Sequence, residues 1–289
     1  MGALCWGMAD FSARFASRRV GAFRTLFYMQ FFGFLALTLY LKWTRGFDYA
    51  IAPGWHPWAM AVLAGVLNMA ASLSLYYSFE IGVMSIVGPV SSCYPVLTVA
   101  LSFLSGERIG AVRGMGLAVT LAGVVLASTS FAENAPRAGE SSDATRAHKA
   151  HLSRGVGWAI AAALGFGVLF WYLGFRVVPA VGSGISVWVM RLTAIGSLLM
   201  IAKPARKTVQ LPHGLVWWII AATGLLDTAA FVFNNAGLHV GPVSVVSVLA
   251  SLYGAVTVVL SWIFLRERLE HTQWLGIALI FAGIVLVSF

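Results

Sequence analysis

Gly82-Val-Met-Ser-Ile-Val-Gly-Pro-Val-Ser-Ser-Cys-Tyr94 runs on to Thr98, Ser102 and Glu107-Arg108, and Gly241-Pro-Val-Ser-Val-Val-Ser-Val-Leu-Ala-Ser-Leu-Tyr253 runs on to Thr257, Ser261 and Glu267-Arg268. Gly82, Ser85, Ser92, Tyr94, Thr98 and Ser102 each recur 159 positions later (82 to 241, 94 to 253), and Glu107-Arg108 recurs at 160. Two unrelated apolar helices share composition, but not Gly, Ser, Thr and Tyr at one fixed offset. A repeat of this kind decides the architecture. It extends outward in both directions. Gly65-Val-Leu-Asn68-Met-Ala-Ala71 matches Gly224-Leu-Leu-Asp227-Thr-Ala-Ala230 at 159, and the Ala118–Leu126 run matches Ala278–Leu286 at 160. Leu4 to Gly7 aligns more weakly with Leu164 to Gly167.

The chain of 289 residues is 60% hydrophobic and only 10% charged, whereas soluble domains are about a quarter charged. Apolar runs separated by charges, Pro and Gly read as ten membrane-spanning helices, at 1–17, 22–43, 57–80, 83–104, 110–131, 154–178, 183–202, 213–238, 241–264 and 271–289. The reading divides the chain into a first five-helix repeat (1–131), a polar charged linker (132–153) and a second five-helix repeat (154–289). Five spans per half is an odd number. The second copy therefore enters the membrane from the opposite side, which makes an inverted-topology repeat of the kind secondary transporters use.

The net charge of +9 does not point to nucleic acid, because the basic residues lie singly or in small clusters between apolar runs. Five of them fall on the side of the termini and thirteen on the other. The positive-inside rule would put the thirteen in the cytoplasm and both termini outside. The short first span leaves room for a native chain that begins before Met1, so the orientation of the termini stays open. No cleavable signal peptide is visible. Cys5 and Cys93 lie inside apolar runs and form no metal or redox spacing. The expected setting is a multi-pass protein of the inner cell membrane. Its partners would be the lipid bilayer and a small-molecule substrate, with room for a homodimer and no cofactor or metal.

Trp6-Gly7 in the first span, Glu-Arg (107–108 and 267–268) between the last two spans of each repeat, and the closing Ala122-Gly123 and Ala282-Gly283 runs resemble the EamA family. That family belongs to the drug/metabolite transporter superfamily, and the resemblance covers essentially the whole chain. It implies a ten-helix, basket-like carrier that exports amino acids, other metabolites or drugs, without naming the substrate.

Ionisable groups at membrane depth each cost about 2.5–3.5 kcal/mol to insert and usually face a cavity or a partner. Asp10, Glu80, Arg191, Asp227 and His239 are the candidates. Asp227, Phe231, Asn234 and Asn235 fall at i, i+4, i+7 and i+8, one helical face suited to a polar organic solute. The alternative for Asp227 is an interhelical hydrogen bond that only holds the bundle together. Its repeat-mate is Asn68, with Ser72 and Tyr76 at successive i+4 steps. If the two faces meet across a pseudo-twofold axis, charge on one side opposes an amide on the other, which favours a solute with one cationic end.

Asp10 follows Trp6-Gly7, with Trp6, Asp10 and Arg14 at i+4 spacing. It is read either as a proton-coupling carboxylate, thinly resembling that of the small multidrug resistance carriers, or as half of an Asp10–Arg14 ion pair. Arg191 would clamp a substrate carboxylate or neutralise Asp227 or Asp10. Glu80 and His239 are repeat-mates (159 apart), either gating or proton-relay groups or solvated residues at helix ends. Pro89, Pro95 and Pro242 loosen the fourth and ninth spans. Tyr94 and Tyr253 add hydroxyls there, and Trp171 offers an aromatic face for a substrate or an anchor for the interface.

The leading expectation is a secondary carrier working by alternating access, with proton coupling and export as its finer expectations. A channel or membrane sensor is the alternative. An intramembrane enzyme is disfavoured, since neither HExxH nor a paired-aspartate motif occurs.

Overall fold

Glycine sets the first corner of each repeat. In the computed structural model, which describes residues 1–48, 54–82, 87, 90–128, 155–206, 209–265 and 271–287, α1 (Gly2–Val20) stops at Gly21 and α2 (Ala22–Trp43) starts immediately after it. Gly21 has φ 87° and ψ 153°, and Gly182, which separates α6 (Val156–Val181) from α7 (Ser183–Ala202), has φ 85° and ψ 163°. Only glycine occupies that region without strain. The two halves thus turn the same corner with the same backbone.

The first repeat continues with α3 (His56–Ile81), which carries Pro57 in its first turn where no N–H is needed, then α4 (Tyr94–Leu104) and α5 (Ala111–Ser128). The second continues with α8 (Leu215–Val240), α9 (Val243–Ala250), α10 (Tyr253–Leu265) and α11 (His271–Val287). The ninth span is split, because a turn at Ser251 and Leu252 separates α9 from α10. The fourth span is split at the equivalent place. Val90, Ser91 and Ser92 are helical, Cys93 is a turn, and α4 begins at Tyr94. Broken helices at matching positions of the two halves are a device of secondary transporters.

The described helices supply the ten expected spans, with α9 and α10 together forming one of them. Among them, α2, α3, α6, α7 and α8 are each long and apolar enough to cross a membrane. Two spans differ most from the sequence reading. The first span reaches Val20, which places Asp10 at mid-helix, and the sixth reaches Val181 through a π turn at Leu173–Val177. Pro179 explains that turn, since its ring displaces the carbonyl four residues earlier and widens the helix locally. The linker 132–153, Glu267-Arg268 and Pro89 lie outside the described residues.

Packing follows the repeat. The α1–α8 contact is mirrored by α6–α3, α1–α10 by α6–α4, and α2–α8 by α7–α3, while α2–α7 and α5–α11 pair equivalent helices with each other. Exchanging the halves reproduces the set, which is the signature of a pseudo-twofold axis through the bundle. Small residues make the approach possible: Ala9, Ala13 and Ala16 line the buried stripe of α1, and Ala159 and Ala162 that of α6. Leu35 and Leu39 on α2, Leu63 and Val66 on α3, Leu199 and Met200 on α7, and Leu225 and Phe233 on α8 face outward. An outer surface of this kind belongs in lipid.

Candidate functional site: a cavity on the pseudo-twofold axis

Two glycines bring the walls of the cavity together. A Cβ on Gly7 would lie 2.5 Å from Val256 Cβ and 3.0 Å from the Tyr253 carbonyl oxygen, so α1 and α10 touch almost backbone to backbone. A Cβ on Gly167 would lie 2.8 Å from Leu97 Cβ and 3.0 Å from the Tyr94 carbonyl oxygen, which is the same contact between α6 and α4. Thr98 Oγ1 donates to the Gly167 carbonyl at 2.9 Å, and Thr257 Oγ1 makes the matching, longer contact to the Gly7 carbonyl at 3.4 Å. These repeated contacts set Tyr94 and Tyr253, the first residues after the two helix breaks, with rings nearly parallel (13°) and 6.4 Å apart.

Around that pair lies a cavity with about 440 Å³ of empty space, counting its outward-opening part. The first repeat contributes Trp6, Asp10, Met29, Ser72, Leu75, Tyr76 and Tyr94, and the second contributes Phe166, Phe170, Asp227, Phe231 and Tyr253. Edge-to-face contacts tie Trp6 to Phe231 (5.0 Å) and to Phe170 (5.5 Å), and Tyr94 sits 5.0 Å from Phe170. The rings form a continuous aromatic wall.

The charges are not equivalent. Asp227 accepts a hydrogen bond from Trp6 Nε1 at 3.0 Å through Oδ1, and its Oδ2 lies 2.6 Å from Arg191 Nη2. The latter contact is an ion pair without hydrogen-bond alignment, since neither atom has an aligned partner. Arg191, 1% exposed, also donates from Nη1 to Gln30 Oε1 at 2.5 Å, and its guanidinium lies 5.2 Å from the centre of the Phe231 ring. Trp6, Asp227, Arg191 and Gln30 thus link α1, α8, α7 and α2 in one buried network. The carboxylate of Asp10, 8% exposed, has no hydrogen-bond or ion-pair partner among the described residues. No ion pair joins it to Arg14.

Residues singled out from the sequence divide into groups. Asp10, Ser72, Tyr76, Tyr94, Asp227, Phe231 and Tyr253 meet at the cavity. Tyr76 donates its hydroxyl to Met29 Sδ at 2.9 Å, and Tyr94 donates to the Ser247 carbonyl at 3.2 Å. Arg191 stands behind the wall rather than in it. Asn235 turns to α7, its side-chain amide donating to Ser186 Oγ at 3.0 Å while its backbone carbonyl accepts from Ser183 Oγ at 3.0 Å. Asn234 and Asn68 are buried outside the cavity lining, each with an unpartnered carbonyl oxygen.

The remaining three lie away from the axis. Trp171 donates Nε1 to Ser105 Oγ at 2.7 Å, tying α6 to the end of α4. Glu80 accepts the Ala22 backbone N–H at 2.8 Å and so caps α2. His239 is exposed at the end of α8.

Sequence reasoning passed over Met29, Gln30, Leu75, Phe166 and the hydrogen bond from Trp6. Phe166 and Phe170 were within reach, since they stand 160 positions after Trp6 and Asp10. Gln30 carried no such signal, because its mate is Met190.

The EamA-like transporter family matches residues 1–129 and 153–289. The chain belongs to the EamA-like transporter family. It is therefore a multi-pass membrane transporter of the drug/metabolite type, and its ten-helix, two-repeat architecture is that family's. A solved crystal structure covers 99% of this chain and 93% of its own length with a TM-score of 0.74 at 18% identity, a likeness of fold alone. An uncharacterized protein of Methanocaldococcus jannaschii is 39% identical over 71 residues, 24% of this EamA-like chain. The matched stretch spans about half (52%) of that relative's length.

Proposed function

We propose that this EamA-like protein is a secondary carrier of the inner cell membrane that exports a small polar or amphipathic solute by alternating access. The two repeats, 1–131 and 154–289, rock about the aromatic cavity. One observation carries the proposal: the cavity sits on the pseudo-twofold axis, is walled by both repeats, and is flanked by the helix breaks at Cys93 and Ser251-Leu252. A central site at a repeat interface, bordered by discontinuous helices, lets a rocking motion expose the same site to either face.

Asp10 is the coupling group in this reading. It is a buried carboxylate facing the cavity without a partner among the described residues, so it can hold a proton or a cationic solute in turn. Asp227 is the structural acid, held by Arg191 and Trp6. Glu80, which caps α2, and the exposed His239 stand outside the transport path.

Counterflow in liposomes containing the purified chain, run with a panel of labelled amino acids, amines and drugs, tests the proposal. Saturable counterflow of at least one solute is expected. Non-saturating flux, or single-channel current, would replace the carrier with a channel.

A further inference from the structure

We infer that the cavity selects a monovalent organic cation with an apolar or aromatic body and rejects solutes that carry a carboxylate. This rests on the carrier reading above and narrows it. The lining contains two carboxylates, Asp10 and Asp227, and no Lys, Arg or His. Arg191, the basic side chain behind the cavity wall, is not available to a solute. Its Nη1 is held by Gln30, its Nη2 lies against Asp227, and the Phe231 ring stands beside its guanidinium. The Arg191–Asp227 pair sums to zero, which leaves Asp10 as the cavity carboxylate that a cationic solute can pair with.

The rings act in the same direction. Trp6, Tyr94, Phe166, Phe170, Phe231 and Tyr253 surround the site, and the face of an aromatic ring attracts a cation and repels an anion. A solute carboxylate would need donors, and most are committed. Trp6 Nε1 is on Asp227, the Tyr76 hydroxyl on Met29 and the Tyr94 hydroxyl on Ser247. The Ser72 hydroxyl remains, with that of Tyr253, which itself accepts from Ser92 Oγ at 3.4 Å; these are enough to orient a polar group and not enough to neutralise a buried anion. An amino acid entering this cavity would bring its ammonium to Asp10 and leave its carboxylate among rings.

The test compares compounds that differ only by the carboxylate: phenethylamine with phenylalanine, and tryptamine with tryptophan, with phenethyl alcohol as the uncharged control. Binding to the detergent-purified full chain and competition in counterflow are measured for each. The amines should bind at least about tenfold more tightly than the paired amino acids and the alcohol, since a charge left uncompensated at membrane depth is costly. Asp10→Asn should erase most of the amine's advantage over the alcohol. The wild-type comparison decides the matter even if that variant fails to fold. Saturable transport of phenylalanine or tryptophan at or above the amine level would overturn the inference and leave the carrier standing. Absence of saturable transport for any solute of the wider panel would remove both.

Discussion

Arg191 Nη2 lies 2.6 Å from Asp227 Oδ2, so this buried arginine neutralises one of the two acids at the cavity and not the other. Breaking a buried ion pair by removing one member strands the other charge, typically at about 3–5 kcal/mol, whereas removing both members costs far less. Asp227→Asn should therefore lower the stability of the purified protein by roughly that amount. Adding Arg191→Gln should recover most of the loss, because the stranded guanidinium is then gone. Denaturant titrations in detergent of the two single variants and the double variant form a cycle that isolates the coupling. Equal losses in all three, or simple additivity, would contradict the pairing.

Asp10 should behave in the opposite way. Among the described residues its carboxylate has no partner to strand, so Asp10→Asn removes an uncompensated buried acid and should leave stability unchanged or slightly raised. Its effect should appear in transport instead. If Asp10 couples solute to proton, the variant's flux should lose the pH dependence of the wild type and no longer respond to an imposed proton gradient. Liposome uptake measured at several external pH values reads both quantities. A variant that keeps the wild-type pH profile would move the coupling role elsewhere.

Much of this architecture was legible because a repeat reports itself twice. Gly82 with Gly241 and Tyr94 with Tyr253 pointed to equivalent helices, and the structure stacks the two tyrosines 6.4 Å apart where those helices meet. The division of labour between the acids was not legible. Sequence spacing set Asp10 beside Arg14, one turn away on the same helix, and left Arg191 free to serve either acid or a substrate. Which acid Arg191 meets depends on the crossing of α7 and α8, a long-range property that periodicity within one helix does not encode. The same limit applies to Asn235. Its position on the stripe of Asp227 and Phe231 is correct, yet the stripe is wider than the cavity, and its far edge packs against Ser183 and Ser186 of α7.

The paired glycines give a test of the axis that needs no substrate. Gly7→Ala and Gly167→Ala each force α1 from α10, or α6 from α4, by pushing a methyl group against a neighbouring side chain and a backbone carbonyl. Overpacking of this kind typically costs about 1–3 kcal/mol. The two variants should be destabilised to a similar degree, because the contacts are equivalent. Gly196→Ala is the control. A Cβ there meets nothing within 4 Å, so the melting temperature in detergent should hold or rise. Loss at Gly196 comparable to that at Gly7 would mean that glycine in these helices matters for reasons other than close approach.

Glu107, from the Glu-Arg pair that first marked the repeat, reaches across to the second half. Its carboxylate accepts the backbone N–H and the hydroxyl of Ser244 in the first turn of α9, the N–H at 3.2 Å to Oε1. A carboxylate there satisfies a donor that the helix cannot, and complements the positive end of the helix dipole. Capping contacts of this type are worth about 0.5–2 kcal/mol. Because this one joins the two repeats at the face where the chain termini lie, it also resists their separation there. Glu107→Ala should destabilise the protein by an amount in that range and make the cysteine of a Ser244→Cys background more reactive to a water-soluble maleimide. Glu107→Gln, which keeps an acceptor for Ser244 and loses the charge, should fall between the two. Maleimide labelling that is the same with and without the Glu107 carboxylate would show that the contact caps α9 without holding the repeats together.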